Sequence, residues 1–330
     1  VPSPLMNVQT AEEENGLVLN GEQVPGVLCF AASGTDYIWT GLHYWEFVGV
    51  GFVILLGCNV LIYFRWKKGK HSYVINTIAA MQKYQFLIGQ LVSRDFKTKY
   101  KRSVLGIFWS FLNPLLMMFV QYFVFSTIFK SDIENYPVYL LIGIVCFNFF
   151  SEACSMSLGS ILSNASLITK VYVPKYLYPL STVIYNYIIF LISLVVLAIV
   201  GVILGVKPTI YLLQAPVALI IILILSYGSG MFLATIGVFF RDIEYLWSVA
   251  LMLIMYTCAI FYYPSKLLKS GWAWILKFNP LYCTIQIFRS AIFGEPMYAP
   301  YVIYAAAFSV VITIIGLVCF KKKQDNFILY

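Results

Sequence analysis

Seven runs of about 20 apolar residues constrain this chain more than any motif it contains; they lie near 44 to 64, 104 to 129, 138 to 160, 179 to 205, 211 to 238, 246 to 262 and 299 to 320. At a rise of about 1.5 Å per residue, a helix of that length crosses the hydrocarbon core of a bilayer, where the backbone must satisfy its own polar groups. Composition agrees, since 61% of the 330 residues are apolar, only 11% are charged, and the mean hydropathy is +0.84. A soluble domain carries roughly a quarter charged residues, so the fold class is an all-α integral membrane protein.

Lys and Arg set the orientation. The first basic residue is Arg65, which follows the first run and six acidic residues: Glu12, Glu13, Glu14, Glu22, Asp36 and Glu46. The amino terminus is therefore expected outside and the carboxyl terminus, with Lys321, Lys322 and Lys323, inside. Threading the spans this way puts 16 of the 22 basic residues in the cytoplasmic segments 65 to 103, 161 to 178, 239 to 245 and 321 to 330. A formal charge of +8 then reads as loops facing anionic lipid rather than nucleic acid. The first run differs from a secretory signal because its basic cluster Arg65, Lys67, Lys68 follows the apolar stretch. The Leu55-Leu56-Gly57-Cys58 stretch has the look of a lipoprotein cleavage site, against which the same missing basic start argues. Residues 1 to 43 form a polar external segment. Asn15-Gly16 and Asn20-Gly21 are turn signals there, and a small hairpin and a loose tail fit them equally.

Catalytic chemistry has little to work with. His43 and His71 are the only histidines, which nearly excludes a His-based metal site or general base. The seven cysteines form no C-x-x-C pair and fall mostly within apolar runs, as small apolar residues do. No catalytic residue and no metal ligand is assigned. Glu152 is the one carboxylate well inside a run, where lipid exposure costs about 2.5 to 3.5 kcal/mol, so it should face protein or water. With Asn148 and Ser151 it forms a polar patch that suits either helix packing or a translocation lining. Aromatics such as Trp109, Tyr122, Phe123, Phe149, Phe150, Tyr185 and Tyr187 suit stacking on sugar rings, or membrane-interface belts and packing.

Between the first two runs, Tyr84, Leu87, Ile88 and Leu91 repeat at helical spacing, with Lys83, Gln90, Arg94 and Lys97 on a polar stripe. This is the profile of a helix lying in the membrane surface, and equally of a basic cytoplasmic loop. Five short motifs follow in order: Arg94-Asp95-Phe96-Lys97 through Lys99-Tyr100-Lys101-Arg102-Ser103 to Asn113-Pro114; Asn164 to Lys175; Phe240-Arg241-Asp242-Ile243; Asn279-Pro280; and Arg289. In that order they resemble polysaccharide export permeases of the ABC superfamily, the membrane subunits that export O-antigen and teichoic acid. The resemblance covers most of residues 81 to 330.

It implies a six-helix permease core at 104 to 320, preceded by an additional transmembrane helix at 44 to 64 that the family pattern lacks. It also implies a cytoplasmic linker and interface helix within 65 to 103, and a tail at 321 to 330. Asn164 is expected to cap a coupling helix near 165 to 172, ended by Pro174, that docks on the ATPase subunit. Leu167, Ile168, Val171, Tyr172 and Val173 would offer apolar surface there, and Lys170 and Lys175 charge. Arg94, Lys97, Lys99, Tyr100, Lys101 and Arg102 would admit a lipid head group, or simply neutralise anionic lipid. Pathway candidates are Trp109, Asn113, Asn148, Glu152 and Arg289. Residues 263 to 296 are expected to hold two short re-entrant gate helices on the outer side, where Arg289 would meet phosphate or close a helix end.

The chain has no glycine-rich phosphate loop ending in Gly-Lys-Ser or Gly-Lys-Thr, so ATP and Mg²⁺ are expected on a partner ATPase subunit and no cofactor on this chain. The resemblance implies a homodimer with two ATPase copies in the cytoplasmic membrane of a bacterium, moving a lipid-linked glycan among membrane lipid. A drug or small-lipid exporter is the first alternative. A membrane glycosyltransferase would have only Asp242 and Glu244 as a close cytoplasmic carboxylate pair, and a secondary transporter lacks two similar halves.

Overall fold

A computed structural model describes residues 18–19, 22–23, 84–101, 103–127, 135–170, 173–264 and 273–328. The first apolar run, at 44 to 64, lies outside them. Ten helices carry the described core: α1 Gln85–Tyr100, α2 Trp109–Thr127, α3 Tyr136–Ser163, α4 Ala165–Ile168, α5 Leu177–Ile203, α6 Ala215–Phe239, α7 Ile243–Thr257, α8 Ala273–Lys277, α9 Pro280–Phe293 and α10 Ala299–Lys323. Near the amino terminus, β1 Val18–Leu19 pairs antiparallel with β2 Glu22–Gln23, the hairpin option of the two that the Asn20-Gly21 signal left open.

Among the described residues, five helical stretches are long and apolar enough to cross a membrane: Gly106–Ser126, Tyr136–Ser163, Leu177–Ile203, Ile210–Phe239 and Ala299–Lys323. They coincide with five of the expected spans. The run at 246 to 262 is different, because α7 stops at Thr257 and the chain then turns, with Ala259 at φ +47° and residues 258 to 261 buried. Hydropathy sees one apolar run there, whereas the backbone is a 15-residue helix and a buried turn.

The core is built around α3, which is buried on nearly all sides between α5 and α6, and α10 packs along α6. A helix apolar all round belongs in such an interior position. Small residues let the axes approach. A Cβ at Gly228 of α6 would lie 2.6 Å from the Thr313 backbone of α10, and one at Gly316 of α10 would lie 2.5 Å from the Gly228 carbonyl. With no water to expel between helices in lipid, such close contact is what drives their association.

Gly228→Val should overpack this crossing at a cost of about 1 to 3 kcal/mol and lower the thermal midpoint of the solubilised protein followed by size exclusion. Gly89→Ala in α1, where nothing lies within 4 Å, is the control expected not to lower that midpoint, since Ala is the better helix former.

Candidate functional site

The surface-lying helix α1 is tied to the bundle by three polar contacts. Arg94 donates from Nη1 to the Asn164 side chain at 2.7 Å while also pairing with Asp95. Lys99 Nζ lies 3.1 Å from Glu152 Oε2 in α3. The Tyr100 hydroxyl bonds the Ser110 hydroxyl at the start of α2. Its apolar side, Ile88, Leu91 and Val92, is buried, and Phe96 meets the ring of Tyr185 in α5 edge-on with centroids 4.8 Å apart. Lys97 and Lys101 are exposed, and among the described residues neither has an ion-pair partner. Arg102 lies outside the described residues.

Pro114 sits inside α2 and has no N–H to give the Ser110 carbonyl four residues earlier. Ser193 of α5 supplies a substitute, its hydroxyl lying 3.3 Å from that carbonyl and 3.0 Å from the Ile189 carbonyl of its own helix. Trp109 and Asn113, one turn apart on α2, are exposed. On α3, Asn148 is half-buried and Glu152 is exposed on the open side, with Ser155 accepting from Trp247 Nε1 of α7 at 3.2 Å.

The helix expected near 165 to 172 is shorter in the fold. α4 covers only Ala165–Ile168, and the Asn164 side chain does not cap it, because its oxygen accepts from Arg94 and its amide donates to the Ser160 carbonyl at 2.8 Å. The long-range charged donor takes the acceptor that a local cap would have used. Val171 and Tyr172 lie outside the described residues. Leu167 is exposed, while Ile168 packs on a cluster that includes Leu91, Ile161, Tyr178, Val238, Phe320 and Phe327, at the ends of several helices. Val173 and Pro174 are half-buried and Lys170 is exposed. Lys175 is committed inside the chain: its Nζ donates to the Gln324 carbonyl at 2.6 Å and stands 5.7 Å from the Phe327 ring. That contact closes the end of α10, whose carbonyls have no partner within the helix.

Arg289 of α9 is buried and faces the turn that follows α7. Its guanidinium donates to the carbonyls of Ala259 (3.1 Å), Tyr139 (3.3 Å) and Ile260 (3.4 Å), and its carbon lies 3.4 Å from the Tyr139 ring centroid. Tyr136 and Tyr139 add hydroxyls to the carbonyls of Phe261, Ala259 and Tyr262. Asn279 caps α9 through Leu281 N and Tyr282 N with Pro280 in its first turn, and its amide reaches Thr257 at the end of α7. At 1.5 Å per residue along α3, Arg289's contact at Tyr139 is about 20 Å from Glu152. These two pathway candidates therefore belong to different places.

The fold thus joins Arg94 to Asn164 and Lys99 to Glu152, and sets Arg289 apart. Ser110, Ser193 and Phe327 were missed. Pro114 within a helix announces a freed carbonyl at Ser110, but nothing in the sequence names Ser193 as its donor. The described residues hold no cluster of three or more His, Cys, Asp or Glu able to take a metal.

Several long apolar helices packed around one enclosed helix define, among the described residues, a multi-pass membrane protein. The profile described as ABC-2 type transporter matches residues 86–293, from α1 to the end of α9, and the chain belongs to that family. It is 30% identical over 242 residues to the O-antigen export system permease protein RfbA of Klebsiella pneumoniae, a match covering 73% of this chain and 93% of that one. Over 261 residues it is 28% identical to the protein of the same name from Myxococcus xanthus, with 77% and 98% covered. The polysialic acid transport protein KpsM of Escherichia coli is 24% identical over 243 residues, with 71% and 92% covered.

Arg289→Lys keeps the charge but not the planar fork, so at least one buried carbonyl loses its donor at a cost of about 1 to 3 kcal/mol. The expected outcome is a lower thermal midpoint, with faster labelling of Cys258 by a thiol reagent as the turn loosens.

Proposed function

We propose that this chain is the permease subunit of an ATP-driven exporter that moves a lipid-linked polysaccharide, of the O-antigen, capsule or teichoic acid kind, across the bacterial cytoplasmic membrane. The observation that carries the reading is the match over 93% of an O-antigen export permease. The chain itself has no phosphate-cradling loop. Two copies of a separate ATPase would bind ATP and Mg²⁺, and two copies of this chain would enclose the path. α2 and α7 support a homodimer by leaving Phe119, Phe123, Tyr245 and Tyr256 exposed. The proposed topology has the amino terminus outside, the additional span at 44 to 64 first, and the carboxyl terminus in the cytoplasm, in keeping with the distribution of Lys and Arg. A mechanism follows from where the side chains stand. Closure of the ATPases presses on Leu167, and α4 passes the displacement through Ile168 to the cluster shared with α1, α6 and α10.

Reconstituted alone, the purified chain should hydrolyse no ATP; with its ATPase subunit, turnover should appear and rise with lipid-linked glycan in the vesicle. Stimulation by small amphiphiles in place of the glycan would favour the drug-exporter alternative.

The two neighbouring apolar residues of α4 should separate. Leu167→Ala removes an exposed anchor and should weaken pull-down of the ATPase about 5- to 30-fold, corresponding to about 1 to 2 kcal/mol. Ile168→Ala removes contact with the chain's own cluster, so it should lower the stability of the isolated permease by a similar amount while leaving pull-down of the folded fraction intact.

A further inference from the structure

Two residues that the sequence reading placed in different roles meet in the fold. Lys99, in the last turn of α1, and Glu152, near the middle of α3, form an ion pair 3.1 Å long with side chains 40% and 49% exposed. Glu152 is the only Asp, Glu, Lys or Arg in α2, α3, α5 and α6 taken together. An isolated carboxylate on such helices is costly, so its retention asks for a reason.

The other charges nearby narrow that reason. Asp95, the one acidic residue of α1, is already paired with Arg94. Lys97 and Lys101 have no ion-pair partner among the described residues. Lys99 and Lys101 line an open cleft of roughly 530 Å³ with Thr98 and Ser103, and Lys97 and Arg94 line the adjoining one of roughly 670 Å³. Beneath Lys99, whose Nζ is 6.0 Å from its ring, Tyr185 is fully buried with a hydroxyl that has no hydrogen-bond partner. Around Lys99 the cations therefore outnumber the anions, and Glu152, which lines neither cleft, reaches just one of the cations through one oxygen.

We propose that Glu152 is a built-in stand-in for the phosphate of the transported lipid: it occupies Lys99 while the cleft is empty and is displaced when a diphosphate head group arrives. The proposal rests on the reading that the cargo is a lipid-linked glycan. A half-exposed lysine–carboxylate pair is weak, so it yields to an anion of higher charge that also reaches Lys97 and Lys101. Once displaced, Glu152 is an unpaired carboxylate beside that anion and works against its retention. Transport needs such a balance, because a site that holds its cargo too tightly does not pass it on.

Competition has a sign that a structural tie does not. The test uses the full permease–ATPase complex in nanodiscs of neutral phospholipid, with polyprenyl diphosphate as the probe and neutral polyprenol as the blank. Half-saturation and maximal rate are read from the stimulated ATPase. Glu152→Gln should lower the half-saturating concentration about three- to tenfold and also lower the maximal rate, whereas Lys99→Gln should raise the half-saturating concentration by a similar factor. Glu152→Ser, a smaller neutral replacement, should move in the same direction as Glu152→Gln and keeps the test open should the amide disturb packing. Glu152→Asp, retaining the charge, should stay within about twofold of the wild type. Inorganic pyrophosphate without a prenyl chain should leave the rate unchanged; a response to it would overturn the assignment to a lipid head group. If neutralising Glu152 and neutralising Lys99 both raise the half-saturating concentration, the pair is a structural tie and the proposal fails while the cargo reading stands. If the wild-type complex does not distinguish polyprenyl diphosphate from polyprenol, the cargo reading falls and the proposal with it.

Discussion

Backbone polar groups cannot be left unpaired in an apolar interior, and the described fold is organised around the places where helices break that rule. Each break is met by a side chain from elsewhere in the chain. Ser193 reaches the carbonyl that Pro114 frees, Arg289 with Tyr136 and Tyr139 serves the turn after α7, and Lys175 meets the Gln324 carbonyl beyond α10. Because these donors come from distant helices, each repair also fixes how two elements sit together. Arg289 holds α9 against both the α3 start and the turn after α7, and Asn279, at the start of α9, adds a second link to the α7 end.

What hydropathy and charge could show follows from this. Five spans were legible because a long apolar helix satisfies its own backbone and leaves a continuous signal. The run at 246 to 262 misled for the same reason: a buried turn walled by tyrosines and an arginine is as apolar as a helix, and its donors lie more than a hundred residues upstream or about thirty downstream. Asn164 was read as a cap from its position before a short helix. The structure uses its side chain for Arg94, seventy residues away, and no local pattern reports that pairing. At Arg289 both readings of a cation near a helix end were chemically sound, and no local pattern reports the three distant carbonyls it meets.

The basic run of α1 divides in the same way. Read as a row it is a patch of charge, but in the fold Arg94 and Lys99 are engaged with the bundle, while Lys97 and Lys101 have no ion-pair partner among the described residues. α1 is thereby both anchored and charged on its open side. Its anchors fall on α3 at Glu152 and just beyond its end at Asn164, and its apolar side rests on α5, so a force on α1 is felt by the most enclosed helix.

That arrangement links α1 and α4 through packing rather than through a dedicated hinge. Leu91 of α1 and Ile168 of α4 bear on one cluster, which also contains Phe320 of α10 and Phe327 of the short turn that follows it. Phe327 is held from one side by Lys175 and from the others by Phe239 and Phe320, at centroid distances of 5.7, 5.9 and 5.2 Å. Closely packed interiors transmit displacement because they have little free volume in which to absorb it. A push on α4 therefore has several ways out of the cluster, into α3, α5, α6 and α10 and, last, sideways into α1. The last of these ends at Lys99, so the element that would receive work from an ATPase and the element that would meet the head group are mechanically adjacent within a single chain.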